Sequence, residues 1–531
     1  MTFFDFLFLT FDFKKYFMKK ILIIFSLLIC LKTFAQVPED AIRYSWQPLN
    51  GSARFMATGG VMGSLGGEIT AAYVNPAGLG LFKTGEFVFS PFYKQTKNKT
   101  NYRSSSTESE KNALQFGPMG VIIGIPHLNN SNNSSSITFA FNKNASFNNY
   151  LRYSGLNNYS SFSEQFAEEF AKSNLSINDV LSSNSPLAYT SAPALYTYLM
   201  DTATINGFIQ VKTAPEYILD SGLALMQDMQ KTTNGGIYEY AISYASNYEE
   251  KLLYGVTLGI PIINFKSNTI FTESDVSGDT SNGFNSFTYT DNFETYGTGM
   301  NLKLGVIYRP KPYIRLGLAI HTPNFMTLKD TRTTTLTTAL ENPIETFSVS
   351  STIFTNDKPG ESKYVFNMPW KAIISGSYVF REIENVKKQR AFISADLEYI
   401  RHRASRFFSN NENPTKSETG YYDQLNTVVK NEYKSVVNFR IGGELKFNVV
   451  MCRIGFAYYS NPYKDLAFKA NNMRLSGGIG YRNNGYFIDL TYVHSVKKDV
   501  DLPYRLSDRA NTFANTTQTL GNIYATFGLK F

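Results

Sequence analysis

The chain has 531 residues, with 51 lysines and arginines against 43 acidic residues, and only 18% of its residues are charged. Charge this sparse argues against an ordinary soluble domain, and a net charge of +8 is too mild over this length to mark a nucleic-acid partner. Tyrosine (35), phenylalanine (43) and glycine (37) are abundant and tryptophan (2) is scarce; such a mixture suits strands with one lipid-facing side and aromatic girdles.

The first segment reads as removable. Met18-Lys19-Lys20 precedes the apolar run Ile21 to Leu31 and the small residue Ala35, the pattern of a signal peptide over 18–35. Residues 1–17 then form an upstream extension before the true start. Cys30 follows Ile29, which is too bulky for a lipoprotein site. Cleavage after Ala35 leaves 46 basic and 41 acidic residues and one cysteine, Cys452. A lone thiol supplies neither a disulfide framework nor a metal cluster. No later stretch has eighteen consecutive apolar residues, which excludes a membrane-spanning helix but leaves a closed barrel, in which strands satisfy one another's backbone groups.

Period-two alternation points to that barrel. Phe439, Ile441, Gly443, Leu445 and Phe447 form one face of a strand, and Arg440, Gly442, Glu444 and Lys446 the other. The same pattern sets Cys452, Ile454 and Phe456 against Arg453 and Gly455, Met473 and Leu475 against Arg474 and Ser476, and Ile488 and Leu490 against Asp489. Upstream, Leu302, Leu304 and Val306 oppose Lys303 and Gly305, and Ile393, Ala395 and Leu397 oppose Ser394, Asp396 and Glu398. Asn484-Gly485 predicts a type I′ hairpin turn. Phe527, Leu529 and the final Phe531 form an apolar C-terminal strand of the kind barrel-assembly machinery reads. Strands are expected to begin near 86, 114, 136, 236, 252, 298, 313, 370, 390, 430, 449, 472, 485 and 516, with weaker ones near 285 and 346 as loop extensions. The expected fold is all-β membrane: an antiparallel transmembrane β-barrel of about fourteen strands over 84–531, in the bacterial outer membrane.

Two regions depart from the strand period. In 155–232, Ser161 to Glu164 resembles a capping box before Phe162, Phe166 and Phe170, and further helical patterns run from Pro193 to Asp201 and from Pro215 to Gln230. This insert is expected on the extracellular face. Residues 51–83 are rich in Gly and Ala without a strand period. Their backbone cannot face lipid, so segment 36–83 is expected as a hatch inside the barrel. Its glycines do not read as a dinucleotide loop, because no strand precedes them.

On Ala53-Arg54, Gly59-Gly60, Asn75-Pro76-Ala77, Met368-Pro369, Gly376-Ser377-Tyr378, Arg440-Ile441-Gly442 and Arg453 to Tyr458 with Asn461-Pro462, the chain resembles the FadL-type outer-membrane transporters of long-chain fatty acids and other hydrophobic compounds. The resemblance spans most of the mature chain. It implies a fourteen-stranded, monomeric barrel with an N-terminal hatch, apolar ligand capture from outside, and lateral exit into outer-membrane lipid at a kink in the third strand. The gate residues it implies are Phe55, Met56, Asn75, Pro76 and Ala77, and the kink is expected at Phe147, Asn148 and Asn149, since asparagine tolerates unusual backbone angles.

No cofactor and no enzymatic site is expected. His127, His321, His402 and His494 show no metal spacing, although a heme-binding receptor on the same barrel is an alternative. The inward charges Arg440, Glu444, Arg453, Arg474 and Asp489 read first as a paired, solvated lumen and second as a carboxylate-capturing site. A surface binding protein or adhesin working through the insert, and a general porin, are the competing readings.

Overall fold

The structure is a computed structural model that describes residues 38–531 apart from 128–129, 131, 206–207, 342–343, 381–389, 466–467 and 469. The expected signal peptide and upstream extension lie outside the described residues.

Fourteen strands close a cylinder. They are β1 (Glu86–Tyr102), β2 (Ser105–Pro126), β3 (Ser134–Ser146), β4 (Leu225–Tyr248) and β5 (Leu252–Asp275). Next come β6 (Phe284–Lys311), β7 (Ile314–His321), β8 (Lys371–Phe380), β9 (Ala391–Arg401) and β10 (Ser435–Phe447). The last four are β11 (Val450–Tyr459), β12 (Asn471–Asn483), β13 (Tyr486–Asp501) and β14 (Ala514–Lys530). Each pairs antiparallel with its neighbour in sequence. The ring closes where β1 meets β14, with Phe87 opposite Leu529.

The alternation explains the closure. On β7, Leu316, Leu318 and Ile320 are about half exposed while Arg315, Ala319 and His321 are buried; the exposed apolar belt is the lipid face and the buried set the lumen. The turn at Asn484-Gly485 has positive φ at both residues (44° and 87°), as a type I′ hairpin requires.

Several strands run far beyond a bilayer. The 28 residues of β6, at about 3.3 Å each, extend roughly 90 Å, against a hydrocarbon core of about 30 Å. The excess of β4–β6, with the strands Phe325–Glu341, Ile344–Ser350 and Gly360–Asn367, stands outside the membrane as one continued sheet. The insert caps it: Phe162 and Phe166 pack on Phe271, Phe287 and Tyr289 in one apolar cluster.

Some boundaries differ from expectation. The second helical pattern of the insert stops at Tyr196, because Met200–Ile205 pairs with Phe208–Thr213 as a hairpin. The third stops at Asp220; Leu225 to Gln230 belongs to β4, where pairing with β5 overrides the helix preference of Leu, Met and Gln. A strand expected near 430 begins at Ser435, because Lys416–Glu432 is a helix with Thr415 and Glu418 as its capping box.

Candidate functional site

The lumen is filled from within by residues 50–83. Ser52 caps the short helix Ala53–Ala57 through the Phe55 amide, and further turns follow at Ala71–Val74 and Pro76–Leu81. With so little regular structure, the segment's polar backbone atoms must find partners on the wall. They do. Thr526 accepts the Ala53 amide (2.7 Å), Thr491 and Ser476 donate to the Ala53 and Ala57 carbonyls (2.7 and 3.0 Å), and His321 Nε2 lies 2.8 Å from the Val74 carbonyl. Ser136 and Ser134 donate to Leu79 and Gly80 (2.8 and 2.9 Å).

Asn75, Pro76 and Ala77 are fully buried at the wall. Asn75 Nδ2 donates to the carbonyls of Gly63 (2.5 Å) and Val306 (3.2 Å), and its Oδ1 accepts the Ala77 amide (3.1 Å). The amide supplies two N–H donors and a carbonyl acceptor on one short stem. Phe55 and Met56 sit in the apolar cluster between this segment and the wall. The seat is built of inward glycines: a Cβ on Gly255 would meet Pro76, one on Gly305 would meet Asn75, and those on Gly442 and Gly455 would meet Thr58 and Gly59.

The third strand is interrupted. A register shift at Lys143/Ala145 precedes the end of β3 at Ser146, and a new strand, Asn149–Asn157, continues the pairing with β4. Phe147 and Asn148 fall in the break and bond to Gly235, whose φ of 95° suits glycine. β3 pairs with β2 only as far as Phe141/Met119. Beyond that level β2 has β1 as its only strand partner among the described residues. The continuing strand turns into the lumen, where the Asn98 side chain of β1 donates to the Tyr150 carbonyl at 2.6 Å. Side-chain contacts span the resulting seam: Ser109 to the Tyr150 carbonyl (3.0 Å), and Lys111 to Thr233 and Asn234 (3.1 and 2.6 Å).

A cavity of about 230 Å³ lies inside this break, with Ser146 to Asn149 on one side and Phe92 and Tyr524 on another. Above it, the helix Pro38–Ser45 places Tyr44 among Phe147, Phe265 and Phe366.

The expected lumen charges fall into separate groups. Arg453 binds Glu444 (2.6 Å) and Asp489 (2.5 Å), and Glu444 also reaches Arg54 of the lumenal segment (3.4 Å). Arg440 faces Asp396 and Glu398, both at 3.7 Å. Arg474 is ion-paired with no carboxylate among the described residues and borders the cavity. His321 and His402 are buried, His402 beside Ser45 (3.0 Å); His127 contacts Ser135 and His494 contacts Tyr492. Phe527 and Leu529 are lipid-facing, and the Phe531 backbone bonds to Gly85 in both directions (2.9 and 3.0 Å). Lys94 is not among the residues the sequence singles out, and Asp396 is read there only as part of one face of a strand, yet each occupies an inward position of an alternating strand. That position is the one signal available for them.

Fold and site together define a transmembrane β-barrel of the outer-membrane type, obstructed by its own N-terminal segment. No family model and no curated protein matches the chain. Among solved structures it is similar to the Pseudomonas putida toluene transporter TodX, with a TM-score of 0.50 and 13% identity over 91% of this chain and 99% of that one. The Ralstonia pickettii toluene transporter TbuX gives 0.47 and 15% over 91% and 99%. A Pseudomonas aeruginosa FadL homologue gives 0.48 and 11% over 90% and 98%. At such identities the likeness to TodX is one of fold, and the fourteen-stranded antiparallel barrel expected from the sequence is the one observed.

Proposed function

We propose that this barrel is an outer-membrane channel for hydrophobic or amphiphilic small molecules, long-chain fatty acids among them. Cargo enters from outside, rests in the cavity at the broken third strand, and leaves sideways through the seam between β2 and that strand, with the 50–83 segment as the gate. The observation that carries this reading is the seam itself: the wall lacks strand pairing beside a lumenal cavity, while the segment's many bonds to the wall block the axial route. An apolar cargo gains about 0.8 kcal/mol per methylene on leaving water, so release into lipid needs such a side exit, which a water-filled porin does not. TodX, a toluene transporter, shares the fold.

A reversible cross-link tests it. Ser109→Cys with Tyr150→Cys, in a chain whose exposed Cys452 is replaced by serine, joins the seam under oxidation. Uptake of a fluorescent long-chain fatty acid by cells carrying the barrel is expected to stop on oxidation and resume on reduction. Unchanged uptake with the cross-link verified on a gel would remove the lateral route.

A further inference from the structure

The cavity at the break has an unusual electrostatic composition. Arg43, Lys94, Lys231, Arg474 and Lys497 border it, and no Asp or Glu does. Three of these cations are neutralised from outside the cavity wall: Arg43 by Asp40, Lys231 by Asp501 (3.0 Å) and Lys497 by Asp499 (2.8 Å). The other two have no carboxylate partner among the described residues. Lys94 is 8% exposed and its Nζ meets only the carbonyls of Asn148 (2.8 Å) and Ser146 (3.5 Å). Arg474 lies over the Tyr459 ring at 5.5 Å, and its Nε has no hydrogen-bond partner.

Cations enclosed in a lumen without counter-charge are costly unless something supplies it. A hydrocarbon supplies none, and a monocarboxylate neutralises one. Resting on the channel reading above, we infer that the cavity binds a dianionic oxyanion head group, a phosphate monoester, with Lys94 acting as a point charge and Arg474 offering its planar donors. The amides of Asn149 and Asn522 also line the cavity and add neutral donors, while Gln518 already donates to Asn98 (3.0 Å) and Asn149 (3.1 Å). Phe92, Phe147 and Tyr524 provide the apolar side against which the first carbons of an attached chain would lie. The head group could arrive on a membrane lipid or on a free phosphate ester, since both present the same oxygens.

Four probes separate the possibilities, measured by calorimetry on the whole purified barrel in a neutral detergent at pH 7, where a phosphate monoester is already mostly dianionic. They are dodecyl phosphate, dodecanoate, dodecanol and inorganic phosphate. Dodecyl phosphate is expected to bind at least about ten-fold tighter than dodecanol, with dodecanoate between them. Lys94→Met and Arg474→Gln are each expected to lower dodecyl phosphate affinity by about ten-fold and to leave dodecanol unchanged. Heat-modifiable gel mobility reports whether each variant is folded. A salt series on the unaltered protein, from about 50 to about 500 mM NaCl, should weaken the phosphate and spare the alcohol without any substitution. Inorganic phosphate binding as tightly as dodecyl phosphate supports the oxyanion site with a soluble source, and weaker binding supports a lipid source. Equal affinity for dodecanol and dodecyl phosphate overturns the inference and leaves the channel reading standing. Failure of every tailed probe to bind overturns both.

Discussion

The carboxylate of Asp396 on β9 holds the backbone of Met62: its Oδ2 accepts the Met62 amide at 3.0 Å and the Gly63 amide at 3.1 Å, while Oδ1 accepts Ser375 Oγ at 2.6 Å. One wall side chain thus satisfies two amides of an irregular segment that has no helix or strand to pair them. Asp396 is fully buried, so water does not replace it. Asp396→Ala should therefore leave two buried donors unmet and cost the seating of the segment about 2–4 kcal/mol. Planar-bilayer recordings should show frequent openings in this variant and few in the unaltered protein. Asp396→Asn, which keeps an acceptor, should be intermediate. A closed Asp396→Ala channel would mean that the segment is held elsewhere.

The glycine seat predicts a contrast among alanine substitutions. Gly442→Ala directs its Cβ at the Thr58 carbonyl oxygen, a backbone atom that has no rotamer to yield, and Gly305→Ala directs it at Asn75. Overpacking of this kind costs about 1–3 kcal/mol. Gly376→Ala meets nothing within 4 Å and serves as the control. Tryptic cleavage at Arg54 should quicken in the first two variants and not in the third. Equal rates in all three would show that the segment does not depend on close approach to the wall.

Much of the barrel was legible because lipid and lumen impose opposite chemistry on alternate residues. Leu304 and Val306 flank Gly305, and Leu316 and Leu318 flank Gly317, so even the seat glycines are marked as inward by period alone. Where a strand is polar on both faces this signal fades. The start of β2, Ser105 to Ala113, is such a stretch, and the alternation marks β2 only from 114. The helix Lys416–Glu432 carried readable marks, Thr415 with Glu418 and the spacing of Tyr422, Leu425 and Val429, but a strand was expected across its end. The break at Phe147 involves no distinctive residue beyond two asparagines, and the cavity depends on cations drawn from five separate segments. Their convergence is set by the closure of the cylinder, which no local pattern encodes.

The insert should respond to pH. Glu164, at the start of the helix Glu164–Ser173, is 5% exposed, and burial raises its carboxyl to about 7 against the Ser161 amide (2.6 Å) and Arg509 (3.1 Å), which favour the charged form. Between the ordinary value of 4.5 and 7 the folded state then holds more protons than the unfolded one, so raising pH through this window removes stability from the cap. Glu168 on the same helix behaves oppositely: burial disfavours its charge, but bonds from Ser507 and Lys172 win and lower it to about 2, so it contributes no change above pH 5. Hydrogen exchange across 161–173 should be slower at pH 5 than at pH 8. Glu164→Gln should reduce that difference, and combining it with Glu273→Gln, whose carboxyl burial also raises to about 7 beside Ser161 and Phe162, should flatten it. A profile that persists in the double variant would assign the effect to another group.

The aromatic surroundings of Tyr44 predict how the 38–45 helix is retained. Its ring meets Phe147, Phe265 and Phe366 edge-on at 6.0, 6.3 and 6.1 Å, and its hydroxyl donates to Thr295 Oγ1 at 2.9 Å. Removing the hydroxyl in Tyr44→Phe forfeits one hydrogen bond, worth about 1 kcal/mol, and preserves the packing. Tyr44→Ala empties the box at a cost of about 3–5 kcal/mol, more than an eight-residue helix recovers from its own backbone, since so short a helix is marginal without tertiary contacts. Trypsin added to intact cells should therefore cut at Arg43 in Tyr44→Ala and spare Tyr44→Phe. The barrel itself should keep its heat-modifiable mobility in both, because none of its strand pairs involves residue 44. Equal resistance of the two variants would place the retention of this helix in its polar contacts, Arg505 with Glu39 and Tyr433 with the Pro38 carbonyl, instead of in the aromatic box.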